Sequence, residues 1–161
     1  AALTGHLVLS TIHTNDAAGS VTRLVDMGVE PFLVASSIIG ILAQRLVRTL
    51  CPECKRPYEA TEEEVLELGL SPDMVGNHPK FWRGEGCKGC FDTGYAGRLG
   101  IHELLHPSDE VRQLILENVD SGTIKRKAKA QGMKTLREDG AQKVLAGLTS
   151  SAEVLRVTSE V

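Results

Sequence analysis

The sequence predicts an α/β fold interrupted by a metal-bound insert. Three observations carry that expectation. Strand-like and helix-like segments alternate through residues 1–50, two C-x-x-C pairs (Cys51/Cys54 and Cys87/Cys90) bracket a segment of different character, and the residues after 105 read as helix throughout. The hydrophobic share of 42% is enough for a packed core, and aromatic residues at 4% require that core to be aliphatic. A formal net charge of −3 gives no electrostatic reason to expect a nucleic-acid partner or an acidic membrane surface. No apolar run approaches the ~20 residues needed to span a bilayer; the longest, 32–42, is broken by Ser36, Ser37 and Gly40. The chain begins Ala1-Ala2-Leu3, without Met, and enters its first expected strand almost at once, as an excised piece of a longer protein would.

Residues 6–11, HLVLST, form an apolar run without polar alternation and predict a strand buried on both faces. Asn15 or Asp16 then caps a helix carrying Ala18, Val21, Leu24 and Val25 at helical spacing and stopping at Gly28. Pro31 opens a second helix with Phe32, Ala35, Ile38, Ile39 and Leu42 on one face. A strand over 46–50 leads into the first cysteine pair. Strand, helix, helix, strand is the rhythm of a mainly parallel sheet. Within the insert, Thr61 and Glu64 make a capping box for a short acidic helix ending at Gly69, and Pro72, Asn77 and Pro79 mark loops. Gly94, Gly97 and Gly100 punctuate a turn-rich stretch feeding a strand over 101–105. Ser108 caps a helix over 109–117, and a basic helix follows over 123–130. Thr135 caps a third with Leu136, Val144 and Leu145 inward and Gly147 as its stop, and Ser150 with Glu153 boxes the last. Such a tail is expected to pack as a small helical bundle. The segments anticipated are 1–50, 51–97 and 98–161.

The four cysteines are the strongest chemical signal. A C-x-x-C on a tight turn aims two thiolates at one point, and two such turns complete the closed S₄ site of structural zinc, with no position open to a substrate. The spacer, residues 55–86, is long for a ribbon, but closure entropy grows slowly with loop length. Two disulfides would need an oxidising compartment, and no secretory signal is evident. A redox pair would open a helix of a thioredoxin-like fold and would not come twice with Pro52 and Gly89 inside the turns. Four unrelated thiols do not explain two identical spacings. The same sulfur set suits iron, so metal binding is read more firmly than the metal.

Other chemistry is sparse. In open α/β sheets ligands bind beyond the carboxyl ends of strands, which points to His13 with Thr11 and Thr14 and leaves His6 structural. His78, His102 and His106 have no periodic partner and read as solvated or locally bonded. Lys125, Arg126, Lys127 and Lys129 read as a solvated helix face, without interleaved aromatics. Phe81 and Trp82 hold most of the insert's aromatic surface and either pack inward or meet a partner. There is no phosphate loop, no G-x-G-x-x-G before a helix and no nucleophile elbow. From chemistry alone the chain carries no complete active site.

The stretch Leu3-Thr4-Gly5-His6-Leu7-Val8-Leu9-Ser10-Thr11-Ile12-His13-Thr14-Asn15 resembles the histidine box of the secretion-type hexameric ATPases. The resemblance continues through Val21-Thr22-Arg23-Leu24, Asp26-Met27-Gly28, Glu30-Pro31-Phe32 and Leu42-Ala43-Gln44-Arg45-Leu46-Val47-Arg48. Both cysteine pairs are similar to the metal module of the type II secretion and type IV pilus assembly branch, which the pilus retraction ATPases typically lack. Gly94-Tyr95-Ala96-Gly97-Arg98, Ile101-His102-Glu103, Gly132-Met133-Lys134-Thr135-Leu136, Asp139-Gly140 and Glu153-Val154-Leu155-Arg156-Val157-Thr158 extend it to the C-terminal helices.

The resemblance implies the C-terminal part of a RecA-like P-loop ATPase domain, with a four-cysteine zinc insert and a C-terminal helical bundle. It implies a homo-hexameric motor using ATP and Mg at the cytoplasmic face, driving inner-membrane secretion or pilus platform proteins, with no nucleic acid and no membrane span. His13 would then lie near the nucleotide phosphates, where a polar or cationic group can respond to the charge lost as phosphate leaves. The family's phosphate loop, catalytic glutamate and Walker B strand have no counterpart here, so the chain alone is expected neither to bind ATP tightly nor to hydrolyse it. A free-standing zinc-ribbon module binding protein or nucleic acid, and a redox dithiol protein, are the alternatives.

Overall fold

A computed structural model describes residues 1–76 and 78–159. Its α-helices and strands follow in the order helices α1 (Ala17–Asp26) and α2 (Pro31–Ser37), strands β1 (Ile41–Leu50) and β2 (Lys55–Glu59), helices α3 (Glu62–Glu67) and α4 (Pro72–Val75), strands β3 (Lys80–Gly84) and β4 (Tyr95–Leu105), then helices α5 (Asp109–Leu116), α6 (Ser121–Ala130), α7 (Leu136–Leu145) and α8 (Ser151–Thr158). Contacts divide the chain into two compact units, residues 1–43 with 103–135 and residues 44–102 with 136–161.

The first unit is built on α1, α2, α5 and α6. Its core is aliphatic, as composition requires: Ala17, Ala18, Val21, Val34, Ala35, Leu105, Val111, Ile115, Ile124 and Ala128 cluster there. Asp16 caps α1 by accepting from the Gly19 N–H at 2.8 Å, and its second oxygen takes the Lys125 ammonium at 2.8 Å. The buried Glu103 carboxylate accepts from the Ala17 N–H at 2.9 Å, so two carboxylates face the positive end of the α1 dipole. At the other end of α2 the Arg112 guanidinium donates to the carbonyls of Ala35 and Ile38, groups that no further helical turn would satisfy.

The second unit holds the insert. Strands β2 and β3 pair antiparallel from Lys55 opposite Gly84 to Glu59 opposite Lys80. Thr61 and Glu64 form the expected capping box of α3, and Gly69 leaves that helix at φ 74°. Helix α8 meets α7 where Gly140 has no side chain; a Cβ there would stand 2.5 Å from a Val154 methyl. Ser150 caps α8 by accepting from the Glu153 N–H, but the Glu153 side chain does not close a box: it reaches the Arg48 N–H at 3.0 Å and the Arg48 guanidinium at 2.6 Å.

Several expectations need correction. Residues 6–11 carry no regular secondary structure and join no ladder, and Leu7 and Leu9 stand 73% and 88% exposed. Apolarity favours a strand only where a neighbouring strand takes its N–H and C=O groups, and no described strand does so. A mainly parallel sheet is likewise replaced, among the described residues, by two two-stranded ribbons, β1 with β4 and β2 with β3. Helix α2 ends at Ser37, so Phe32, Ile39 and Leu42 are exposed and Val34 joins Ala35 inside. Strand β1 begins at Ile41, not 46, and β4 begins at Tyr95, not 101. Pro72 opens α4, where its missing N–H is no loss; Asn77 lies outside the described residues. The helical tail forms no bundle of its own, since α5 and α6 pack with α1 and α2 while α7 and α8 belong to the second unit. Leu145 is 38% exposed, and Phe81 is fully buried, which removes it as a partner contact.

Candidate metal centre

The β2–β3 ladder explains how cysteines so far apart in sequence meet. Cys54 immediately precedes β2 and Cys87 follows β3 by two residues, so pairing Lys55 with Gly84 delivers both turns to the same end of the ribbon. The Glu85 N–H to Cys54 carbonyl bond, 3.2 Å, extends the pairing to the first turn itself. Beside it Gly84 and Gly94 touch backbone to backbone, leaving no room for a Cβ on either. The Cys51 N–H donates to the Gly94 carbonyl at 3.0 Å, tying the residues after the second turn to the first.

Each turn is locally encoded. Cys51-Pro52-Glu53-Cys54 closes through the Lys55 N–H to the Cys51 carbonyl, 3.0 Å. Cys87 precedes a single 3₁₀ turn, Lys88–Cys90, after which Phe91 and Asp92 are left-handed at φ 53° and 58°. That reversal points the Gly94 N–H at Cys90 Sγ, 3.2 Å away, while the Cys87 N–H reaches the same sulfur at 3.3 Å.

All four Sγ atoms lie within 4.8 Å of one another. Cys51 to Cys87 and Cys54 to Cys90 measure 3.8 Å, and Cys87 to Cys90 measures 3.7 Å. Four thiolates held ~2.3 Å from one tetrahedral ion would stand about 3.8 Å apart. The four are free thiols, far beyond the ~2.05 Å of a disulfide. The donor set therefore fits a thiophilic ion in number, spacing and chemistry.

The electrostatics are uneven. Burial acts to raise the Cys90 thiol, but the Cys87 and Gly94 N–H groups outweigh it and bring it down to about 6. For Cys87 the Cys90 N–H acts downward, yet burial and the neighbouring Cys90 and Cys51 sulfurs win and push it up to about 12. Burial also raises Cys54. Two backbone N–H donors favour the thiolate form of Cys90, and a divalent cation bound between these sulfurs would favour thiolate over thiol.

Thr11, His13 and Thr14 belong to the first unit, and the four cysteines to the second. Thr11 and His13 are exposed in the irregular stretch before α1. The Thr14 hydroxyl is engaged locally, 2.7 Å from Ser20 Oγ and donating to the Asp16 carbonyl at 3.1 Å. His78 contacts Glu59 at 2.6 Å and His102 contacts Gln44 at 3.2 Å, whereas His6, expected to be structural, is exposed and contacts the neighbouring Thr4 Oγ1 at 3.1 Å. Lys125 and Lys127 are paired with Asp16 and Glu110 rather than simply solvated. Sequence reading passed over Glu53, whose carboxylate lies 3.5 Å from Cys87 Sγ. Its place inside the first C-x-x-C was the signal available. It also missed the Arg48–Glu153–Arg156 group: Glu153 and Arg156 stand at i,i+3 on α8, a readable spacing, whereas Arg48 is 105 residues from Glu153 and nothing in the spacing brings it there.

The profile of the family described as Type II/IV secretion system protein matches residues 1–156. The type II secretion system protein E of Pseudomonas aeruginosa is 52% identical over 99% of this chain, which covers 31% of that protein. The type IV pilus assembly ATPase PilB of Thermus thermophilus is 49% identical over 99% of the chain and 18% of its own length. The type II secretion system ATPase E of Vibrio cholerae is 50% identical over 99% of the chain and 31% of its own length. The chain thus spans less than a third of each of these relatives.

Proposed function

This chain belongs to the type II/IV secretion system protein family, and we propose from that premise that it is the C-terminal part of an ATP-hydrolysing motor powering type II secretion or type IV pilus assembly. The observation that carries the reading is similarity near one-half identity along 99% of the chain, to relatives named for both systems. In the intact motor the chain would complete a RecA-like domain within a homo-hexamer. ATP and Mg would be held chiefly by residues outside this chain, at the cytoplasmic face of inner-membrane platform proteins. His13 would sense the nucleotide phosphates, with Thr11 and Thr14 beside it; its exposure leaves the ring free to meet a ligand.

The Cys51, Cys54, Cys87 and Cys90 sulfurs would hold structural zinc, supported by edges of 3.7–3.8 Å. When bound, such an ion supplies cross-linking and charge neutralisation, not reaction chemistry. These cysteines would fix the turns at the end of the β2–β3 ribbon. No helix among the described residues is long and apolar enough to cross a membrane.

The test is a segment exchange. The 161 residues replace the matching part of the Vibrio cholerae ATPase, and magnesium-dependent ATP hydrolysis is measured with secretion in cells. The chimera is expected to hydrolyse ATP and restore secretion, and His13→Ala in it to lower turnover at least tenfold. A folded hexameric chimera with no hydrolysis would refute the motor reading, and unchanged turnover in His13→Ala would remove the histidine's role. The isolated chain is expected to show no magnesium-dependent hydrolysis.

A further inference from the structure

Glu53 occupies the third position of the first cysteine pair, and its side chain crosses to the second. Its Oε2 lies 3.5 Å from Cys87 Sγ. The crossing depends on Gly89, where a Cβ would stand 2.6 Å from that oxygen and 3.1 Å from the carboxyl carbon. Cys87 is also the one residue of the four that is not buried, Cys51, Cys54 and Cys90 being 2%, 5% and 4% exposed. Among the described residues no other carboxylate hydrogen-bonds a sulfur of the cluster. An oxygen donor therefore stands at the solvent-facing corner of an otherwise all-sulfur site.

Resting on the zinc reading above, we propose that Glu53 is a standby fifth donor, which completes the ligand set in place of Cys87 when that thiolate is withdrawn. Zinc accepts carboxylate oxygen beside cysteine sulfur at ~2.0–2.2 Å, so an S₃O set remains a closed tetrahedral site. The exchange is balanced: one metal–sulfur bond is replaced by one metal–oxygen bond, and the released thiolate takes a proton from water. The corner most open to competing chelators is then the corner with a spare ligand. The other three positions have none, and each depends on its own sulfur.

The proposal predicts an asymmetry among cysteine variants of the full 161-residue chain, titrated with zinc and with cobalt. Cys87→Ala is expected to keep one ion per chain at reduced affinity, while Cys90→Ala retains none. Adding Glu53→Gln to Cys87→Ala should cost at least a further tenfold and alter the visible cobalt bands, which a packing role for Glu53 would leave unchanged. Glu53→Gln on the intact tetrad should bind zinc as wild type does, but release it several-fold faster to a chromophoric chelator. Equal zinc affinity in Cys87→Ala with and without Glu53, or equal loss of metal in Cys87→Ala and Cys90→Ala, overturns the proposal. If circular dichroism shows that Cys87→Ala does not fold, the Glu53→Gln release rate decides, and a rate unchanged or slower than wild type overturns it. Wild-type protein that binds neither ion would instead refute the zinc reading itself.

Discussion

The Glu153 side chain is 2% exposed yet stays ionised, because the protein supplies what water would have given it. Burial alone would raise its carboxyl. Hydrogen bonds from Arg156 and Arg48 and from the Arg48 N–H more than reverse that, and hold it at about 2. Arg48 in turn lies 4.1 Å over the Tyr95 ring, and the Tyr95 hydroxyl is 2.7 Å from Ser150 Oγ, the cap of α8. The folded value lies below the ordinary one of 4.5, so the stabilisation is complete above that value and fades as pH falls towards 2. It amounts to roughly 3 kcal/mol by linkage. Glu153→Gln should therefore lose about 3 kcal/mol at pH 7, within the range for breaking a buried pair. The difference from wild type should shrink towards zero near pH 2. Urea titrations of both proteins across that range, with chelator present, check this, since thiolate contributions are common to both and cancel. A difference independent of pH would contradict it.

The β2–β3 ribbon shows what is and is not legible at the scale of an element. The cysteine spacing announces the four clustered thiols without any structure, because tetrahedral thiolate chemistry needs two turns of this kind. The capping residues Asp16, Thr61, Ser108 and Ser150 are equally readable, since an orphan N–H at a helix start calls for a nearby oxygen. Strand limits are not, because a ladder is a property of two segments. Residues 6–11 have the composition of a strand and no partner, while Gly94, Gly97 and Gly100 suggest turns in what becomes the start of β4. Gly94 is needed there because the Gly84 backbone lies against it. Gly84→Ala should cost about 1–3 kcal/mol, as overpacking does, since neither backbone can swing aside as a side chain would. The same change should speed zinc loss to a chelator by tilting the second cysteine turn. Urea unfolding and release kinetics measure the two effects, and wild-type values in both would exclude the close approach as a determinant of the site.

For the whole molecule, helical periodicity reveals that a helix has an inward face but not which core that face enters. The tail illustrates the gap. Helices α5 and α6 contribute Val111, Ile115, Ile124 and Ala128 to the cluster shared with α1 and α2, whereas α7 and α8 belong with the cysteine ribbon. The chain passes from one unit to the other after residues 43, 102 and 135, so each core is assembled from two stretches distant in sequence. Metal dependence should follow those units and not the order of the chain. The proposed structural zinc would contribute folding free energy where its ligands are, at the end of the β2–β3 ribbon. Removing zinc is therefore expected to raise amide hydrogen exchange through the cysteine turns and β2–β3, while Val21, Ile115 and Ile124, buried in a core without site residues, keep their protection. Chelation followed by exchange and mass spectrometry resolves the two regions. Uniform deprotection of α1, α5 and α6 along with the ribbon would mean that the units unfold as one, and that the metal stabilises the whole chain and not the end of a single ribbon.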